Sequence, residues 1–485
     1  MFAALLLGAT AGMIALLSRS TLITPDFPWL WRTGQWIIDH RALPATDPFS
    51  WTAGDRPVVP HQWLFELLLA AIERVAGFAG LSIFYLAAAA GIYLVAPLAG
   101  AVPRPVRCLP IIAVSAVALI LLPVNLTLRP MLAGAAMLLL QYILLDRCRL
   151  RRLSTSATAA GVALLYVLWA NLHSSFVVGL ILLAVAGIGD ALERAGLYRF
   201  RPADPSIEGE PLRSRFYGLL LLVGVTATLV NPAGIGLHIY IAAFAQQAFF
   251  RSAIQEMAAA DLGNAFFMLW LVLIGLALWT MRRPQQVVRA ADLLQILLLA
   301  LATLIAGRMV VWSVVLLVLV LPRALYQAER RSGRRLDPGP SRRALAVASA
   351  LVSVILPLIV TAFATPAWRE GNCHAYRPAM AKIAEAAAAG AGPLFNDPTS
   401  GSCLLLLDPP PPVFIDTRFD LYGLGLAHET TQLLLAEPGW ADRLAARGVG
   451  LVMVEQQWAL AKALAGDPRY ELLYKDKTVL VARRR

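Results

Sequence analysis

The chain has 485 residues, is 59% hydrophobic and only 15% charged, and has a mean hydropathy of +0.66. Soluble globular chains run roughly 45–50% apolar and about 25% charged, so this composition excludes an ordinary water-soluble enzyme and points to lipid as solvent. The net charge of +12 does not signal nucleic acid, because the arginines sit in short loops between apolar runs, which is the cytoplasmic signature of a membrane protein.

The first apolar run, 2–18, lacks a basic leader and a small-residue cleavage site, and reads as the first membrane helix. Further spans are expected at 79–101, 109–127, 131–146, 157–172, 176–192, 216–230, 265–281, 291–306, 309–325 and 344–365. Basic clusters separate them in pairs: Arg104 and Arg107, Arg147 to Arg152, Arg194 to Arg215, Arg282 to Arg289, and Arg330 to Arg343. All fall on one side, read as the cytoplasm. The turns Leu128-Arg129-Pro130, Asn171-Leu-His173, the stretch 231–264, and Gly307-Arg308 fall on the other. The expected fold class is therefore a membrane all-α bundle of about eleven helices with a small C-terminal α/β domain. The expected N-terminus is cytoplasmic.

Residues 1–366 are read as the membrane domain and 367–485 as a soluble domain on the outer, periplasmic side. In the first outer loop, 19–78, Trp29, Leu30, Thr33, Trp36 and Ile37 recur at helical spacing, as in an interfacial amphipathic helix. A second such helix starts near His61. The C-terminal segment has short apolar runs at 393–395, 413–415, 450–454, 470–474 and 479–482, with helical stretches at 376–389, 428–447 and 457–465. Strands alternating with helices predict a compact α/β domain. Cys108 and Cys148 lie in arginine-rich loops and are expected to be reduced. Cys373 and Cys403 could pair if their domain faces outward.

Candidate chemistry lies on the outer side. Asp26 follows the first span directly, and Asp47 sits in a Thr-Asp-Pro turn. Either can act as a general base toward an acceptor hydroxyl. The readings that residue type alone favours are a cap for the helix starting near Pro28 at Asp26 and an Asp-Pro turn at Asp47. Arg129 and Arg308 interrupt apolar sequence near the outer surface, where a guanidinium suits a phosphate headgroup or snorkels. His61, Glu66, His173 and Asn231 are further substrate-binding candidates. A divalent metal among the histidines and acids stays open, although their spacings match no standard metal motif. No Walker loop, GxGxxG before a helix or HExxH occurs.

The order of these parts resembles the GT-C class of polyprenyl-phosphate-dependent glycosyltransferases, which includes protein mannosyltransferases and lipid A aminoarabinose transferases. More closely, it resembles a poorly characterised bacterial group of that class. The stretches that carry the resemblance are Asp26-Phe-Pro-Trp-Leu-Trp-Arg-Thr-Gly34, Leu43-Pro-Ala-Thr-Asp-Pro-Phe-Ser-Trp-Thr, His61-Gln-Trp-Leu-Phe-Glu66, Leu128-Arg-Pro130, Trp169-Ala-Asn-Leu-His173, Asn231-Pro-Ala-Gly234 and Val413-Phe-Ile-Asp-Thr-Arg418. The resemblance implies that an Asp of the first outer loop is the catalytic base or positions the acceptor, here Asp26 with Asp47 second. It implies a polyprenyl-phosphate-linked sugar donor and a lipid, glycan or protein acceptor. One departure stands out: the acidic pair common in the class is replaced by Asp26-Phe27. The competing functions are a transporter or flippase of lipid-linked saccharide, and an inactive envelope scaffold.

Overall fold

The computed structural model describes residues 23–99, 127–204, 208–246, 258–261, 263–281, 288–331 and 371–485. The spans expected at 2–18 and 344–365 lie outside them, as do Cys108 and all but the last residue of the span expected at 109–127. The described helices run in chain order as α1 (Phe27–His40), α2 (Trp63–Ala99), α3 (Pro130–Arg149), α4 (Thr155–Leu172), α5 (Phe176–Arg194), α6 (Ser214–Ala227), α7 (Ile235–Gln246), α8 (Ala265–Met281), α9 (Ala290–Ile305) and α10 (Val310–Arg331). The C-terminal segment adds α11 (Arg377–Ala388), β1 (Leu394–Asn396), α12 (Pro398–Leu404), α13 (Phe419–Leu434), α14 (Trp440–Ala446), β2 (Leu451–Glu455), α15 (Ala459–Gly466), β3 (Tyr470–Lys475) and β4 (Val479–Arg484).

Two compact units result. One comprises 1–20 and 82–363, the other 21–81 and 364–485. The boundary falls inside α2, so the first outer loop and the start of that helix are grouped with the C-terminal segment.

The membrane unit is built from helices whose composition leaves them nowhere else to fold. Five helices in the described residues are long and apolar enough to cross a bilayer: Trp63–Ala89, Pro130–Arg149, Thr155–Leu172, Phe176–Arg194 and Gly307–Ala328. α6 to α9 are apolar but shorter. Leu164, Ile181, Leu222, Ile239, Val272 and Leu301 stand exposed around the unit. In water this belt would be an aggregation surface, whereas in a bilayer it is the lipid face. The chain is a multi-pass membrane protein. One expectation is corrected: 231–264 is not merely a turn, because its apolar run Ile-Gly-Leu-His-Ile-Tyr-Ile forms α7.

Without a hydrophobic force between helices in lipid, close approach at small residues and hydrogen bonds hold them. A Cβ on Gly189 of α5 would lie 2.3 Å from Ala291 of α9, and one on Gly179 would lie 2.4 Å from the Trp169 ring of α4. Gln141 donates to the Gly179 carbonyl at 3.0 Å and accepts from Tyr166 Oη at 2.6 Å. The arginine-bearing ends carry a buried ionic network. Arg149 pairs with Asp190 at 3.0 Å and donates to Tyr217 Oη at 2.8 Å. Arg289 reaches Glu208 and Glu193, and Arg323 reaches Asp146 at 2.8 Å.

The other unit is organised by a four-stranded sheet of order β1-β2-β4-β3. β1 and β2 are parallel, with Leu394 opposite Leu451, and β4 runs antiparallel to both neighbours. A parallel pair needs a long crossover, here supplied by α12 to α14. Phe395, Val452, Val454, Leu480 and Ala482 meet Phe414, Tyr422, Leu433, Leu444 and Leu460 in one core, and Ala53 from the first loop joins it.

Two sequence expectations fail here for identifiable reasons. The run 413–415 is no sheet strand. Val413 makes only an isolated bridge to Ser50, and the Asn396 side chain holds the segment by accepting from Phe414 N and donating to Ile415 O. The run 428–447 is two helices, because Pro438-Gly439 breaks it and Gly439 takes φ 81°. Cys373 and Cys403 form a disulfide with Cα atoms 5.3 Å apart. Cys148 is free and buried.

Candidate active site

The two carboxylates singled out in the first loop are gripped by one tripeptide of the C-terminal segment, Asp416-Thr417-Arg418. Pro28 in the first turn starts α1, its fixed φ and missing N–H being costless there. This sets Asp26 at the N-terminal boundary of the helix, but its side chain makes no capping bond. The cap alternative therefore does not describe it. Asp26 Oδ1 instead accepts from Thr417 Oγ1 at 2.7 Å. Thr417 Oγ1 in turn accepts from Trp29 Nε1 at 3.1 Å, one turn into α1. With an indole donor filling one lone pair, the hydroxyl proton is directed at the Asp26 carboxylate and the Pro25 carbonyl.

Asp47 has a different task. Its Oδ2 accepts from Ser50 N at 2.9 Å and Ser50 Oγ at 2.6 Å, and its Oδ1 accepts from Arg418 Nη1 at 2.7 Å. The side chain of Asp47 is fully buried. A carboxylate so saturated shapes its turn, as Asp-Pro sequences do, and holds an arginine. Arg418 also binds Asp416 bidentately, Nε to Oδ1 at 2.9 Å and Nη2 to Oδ2 at 2.5 Å, while Tyr422 Oη donates to Asp416 Oδ2 at 2.9 Å. Its guanidinium lies 5.4 Å from the Phe49 ring centre and 5.8 Å from that of Trp29. Two carboxylates hold this guanidinium well above its ordinary pKa despite burial, so it is a permanent cation. The Tyr422 phenol is pushed well above its ordinary range, first by burial and then by Asp416.

Glu66 is buried near the start of α2, hydrogen-bonded to Gln62 and within electrostatic reach of Arg418. The helices α1 and α2 touch closely here, since a Cβ on Gly34 would lie 2.0 Å from the Glu66 carbonyl. His61 is half-buried, with Nδ1 3.1 Å from the Val59 carbonyl.

In the membrane unit, Arg129 is the residue before α3 and Arg308 lies in the short 3-10 turn, Gly307–Met309, before α10. His173 ends α4. Its Nδ1 accepts from Ser175 N at 3.2 Å and stands 2.7 Å from Ser175 Oγ, which takes the Trp169 indole N–H at 2.9 Å. An Nδ1 that accepts a backbone N–H leaves the proton on Nε2. The rings of His173 and Trp312 are 6.2 Å apart, and a Cβ on Gly134 would touch both. The starts of α3 and α10 and the α4–α5 turn therefore meet at one end of the unit. Asn231 spends its amide locally, donating to Thr228 O and Gly234 O and accepting from Ala233 N, which makes it a turn residue. Among the described residues, no group of three or more His, Cys, Asp or Glu side chains is arranged to hold a metal ion.

The sequence alone assigns no role to Asp416-Thr417-Arg418. The acid-Thr-Arg triplet, a few residues after the proline run Pro409–Pro412, is the available signal. Its partners, more than 360 residues away in sequence, were not readable.

Solved structures share this architecture. The archaeal oligosaccharyltransferase AglB from Archaeoglobus fulgidus, determined with an inhibitory peptide and a dolichol-phosphate, superposes with a TM-score of 0.52 at 13% identity. The match covers 99% of this chain and 74% of that one. ArnT from Cupriavidus metallidurans in the apo state gives a TM-score of 0.53 at 12% identity over 99% of this chain and 97% of that one. The fold is that of the GT-C glycosyltransferases. At these identities the likeness concerns the fold alone. No family model matches the sequence, and no curated protein does.

Proposed function

We propose that this chain is an integral membrane glycosyltransferase that moves a sugar from a polyprenyl-phosphate donor to an envelope acceptor. The reaction takes place on the outer side of a bacterial cytoplasmic membrane. About eleven spans carry the chain, with the N-terminus cytoplasmic and 367–485 outside. The arginines at the shared ends of α3 and α4 and of α5 and α6 mark the inner face. The Cys373–Cys403 disulfide suits an oxidising outer compartment.

The observation that carries the reading is Asp26, held by Thr417 rather than used as a helix cap, in a chain with the GT-C fold. Asp26 takes the proton of the acceptor nucleophile as its oxygen or nitrogen bonds to the anomeric carbon. The bond from that carbon to the phosphate oxygen breaks, and the phosphate leaves with the electron pair, so the configuration inverts. Arg129 and Arg308 hold the departing phosphate, and His173 lies at the same end of their unit. Charge that develops on the phosphate in a dry site is where such groups contribute most. Asp47 and Arg418 set the floor of the loop, and Asn231 only its own turn. The test is envelope glycan composition in cells with and without the gene. Loss of a sugar-bearing species that the wild-type chain restores, with donor lipid accumulating in the outer leaflet, supports transfer, while the same loss with donor lipid accumulating in the inner leaflet would favour a flippase.

A further inference from the structure

At 7 residues, α12 is too short to hold its shape alone, and its neighbours pin it along its length. Asp397 caps its start by accepting from Thr399 N and Ser400 N, with Pro398 in the first turn. Cys403 is bonded to Cys373 in the short turn Gly371–Tyr376. Just beyond its end, Arg32 of α1 donates to the carbonyls of Leu405 and Leu407.

The helix is held against the segment that grips Asp26. A Cβ on Gly401 would lie 2.0 Å from the Ile415 carbonyl oxygen, so only glycine lets the two backbones approach this closely. One residue on, Ser402 is fully buried and meets Thr417 twice. Its Oγ accepts from Thr417 N at 3.3 Å and lies 3.3 Å from Thr417 Oγ1. A threonine hydroxyl has one proton and two lone pairs. The Thr417 proton goes to Asp26 Oδ1, and Trp29 Nε1 fills one lone pair. The Ser402 proton therefore fills the other, at longer range than the 2.7 Å bond to Asp26 that it supports. With both lone pairs engaged, the Thr417 hydroxyl is aimed at the carboxylate.

We propose, on the reading of Asp26 as the base, that Ser402 is a positioning residue that acts on Asp26 through the Thr417 hydroxyl. Ser402→Ala removes one small hydroxyl and leaves the cap and the disulfide of α12 in place. In cells, the rate at which the induced chain restores the envelope sugar lost on deletion should fall about threefold. Adding Ser402→Ala to Thr417→Val should cause no further loss, because the hydroxyl it acts through is already gone. Amide hydrogen exchange is followed in full-length protein in detergent by fragment-resolved mass spectrometry. Ser402→Ala should speed exchange at the Thr417 amide, which loses its acceptor, and across residues 26–28. An unchanged rate of restoration, a loss that adds in the double variant, or wild-type exchange at 26–28 overturns the proposal. A wild-type chain that restores no sugar removes the reading of the chain as a transferase, and the exchange at 26–28 then decides alone whether Ser402 holds Asp26.

Discussion

Thr417 Oγ1 donates to Asp26 Oδ1 at 2.7 Å, joining residues 391 positions apart in sequence. The bond fixes the rotamer of the proposed base and orients its remaining lone pairs. Thr417→Val keeps the shape and removes the donor, and a hydrogen bond to a charged group contributes about 1.5–3 kcal/mol. Sugar transfer should fall about tenfold or more, and Thr417→Ser should recover most of it. Equal loss in both variants would show that packing, not the hydroxyl, matters.

Asp47 should fail in a different way. Its carboxylate and that of Asp416 share the buried Arg418. Removing one partner of a buried pair costs about 3–5 kcal/mol. Asp47→Asn should therefore lower the thermal midpoint and the amount of folded protein before any assay of transfer is run.

The membrane unit offers a parallel case. Asp190 accepts from Arg149, from Tyr217 Oη and from Leu212 N. Asp190→Asn leaves Arg149 buried without its counter-ion and should destabilise by about 3–5 kcal/mol. The double change Arg149→Met with Asp190→Leu should cost less than the sum of the single changes, measured by unfolding in detergent.

Asp397 supplies a pH dependence. It caps α12 through Thr399 N and Ser400 N and also accepts from Glu455 N. Burial, with Glu455 adding to it, pushes its carboxyl up to about 6 from 3.8. A raised carboxyl pKa means the folded chain holds the proton more tightly than the unfolded one. Its contribution thus favours the fold as pH falls from about 6 toward 4 and is lost as pH rises through 6. Asp397→Asn should flatten that part of the midpoint-versus-pH curve relative to wild type.

Most of the helices were legible because apolar runs bounded by arginine leave few alternatives. Seven of the expected spans, from 131–146 through 309–325, have a helix at their position within a few residues. α7 is missed because its apolar run, Ile235–Gln246, is short for a span and lies within the stretch 231–264 that connects two longer ones. The segment 413–415 was misread because β-branched and aromatic residues there serve the core beside Phe395, while their backbone is satisfied by Asn396 and the first loop. Asp26 and Asp47 were both legible as candidates. Their separation into one hydroxyl-held carboxylate and one arginine-bound carboxylate required contacts with residues 416–418, which no local pattern encodes.

Asp26 is the proposed base. Asn at 26 retains an oxygen that accepts from Thr417 and disturbs no helix cap, since the carboxylate makes none. Cells carrying Asp26→Asn in place of the wild-type gene are compared for envelope glycan and for the abundance and thermal midpoint of the protein. The account predicts normal abundance, an unchanged midpoint, and transfer reduced by about 10²-fold or more. Full restoration of the glycan by a normally expressed Asp26→Asn variant would contradict it.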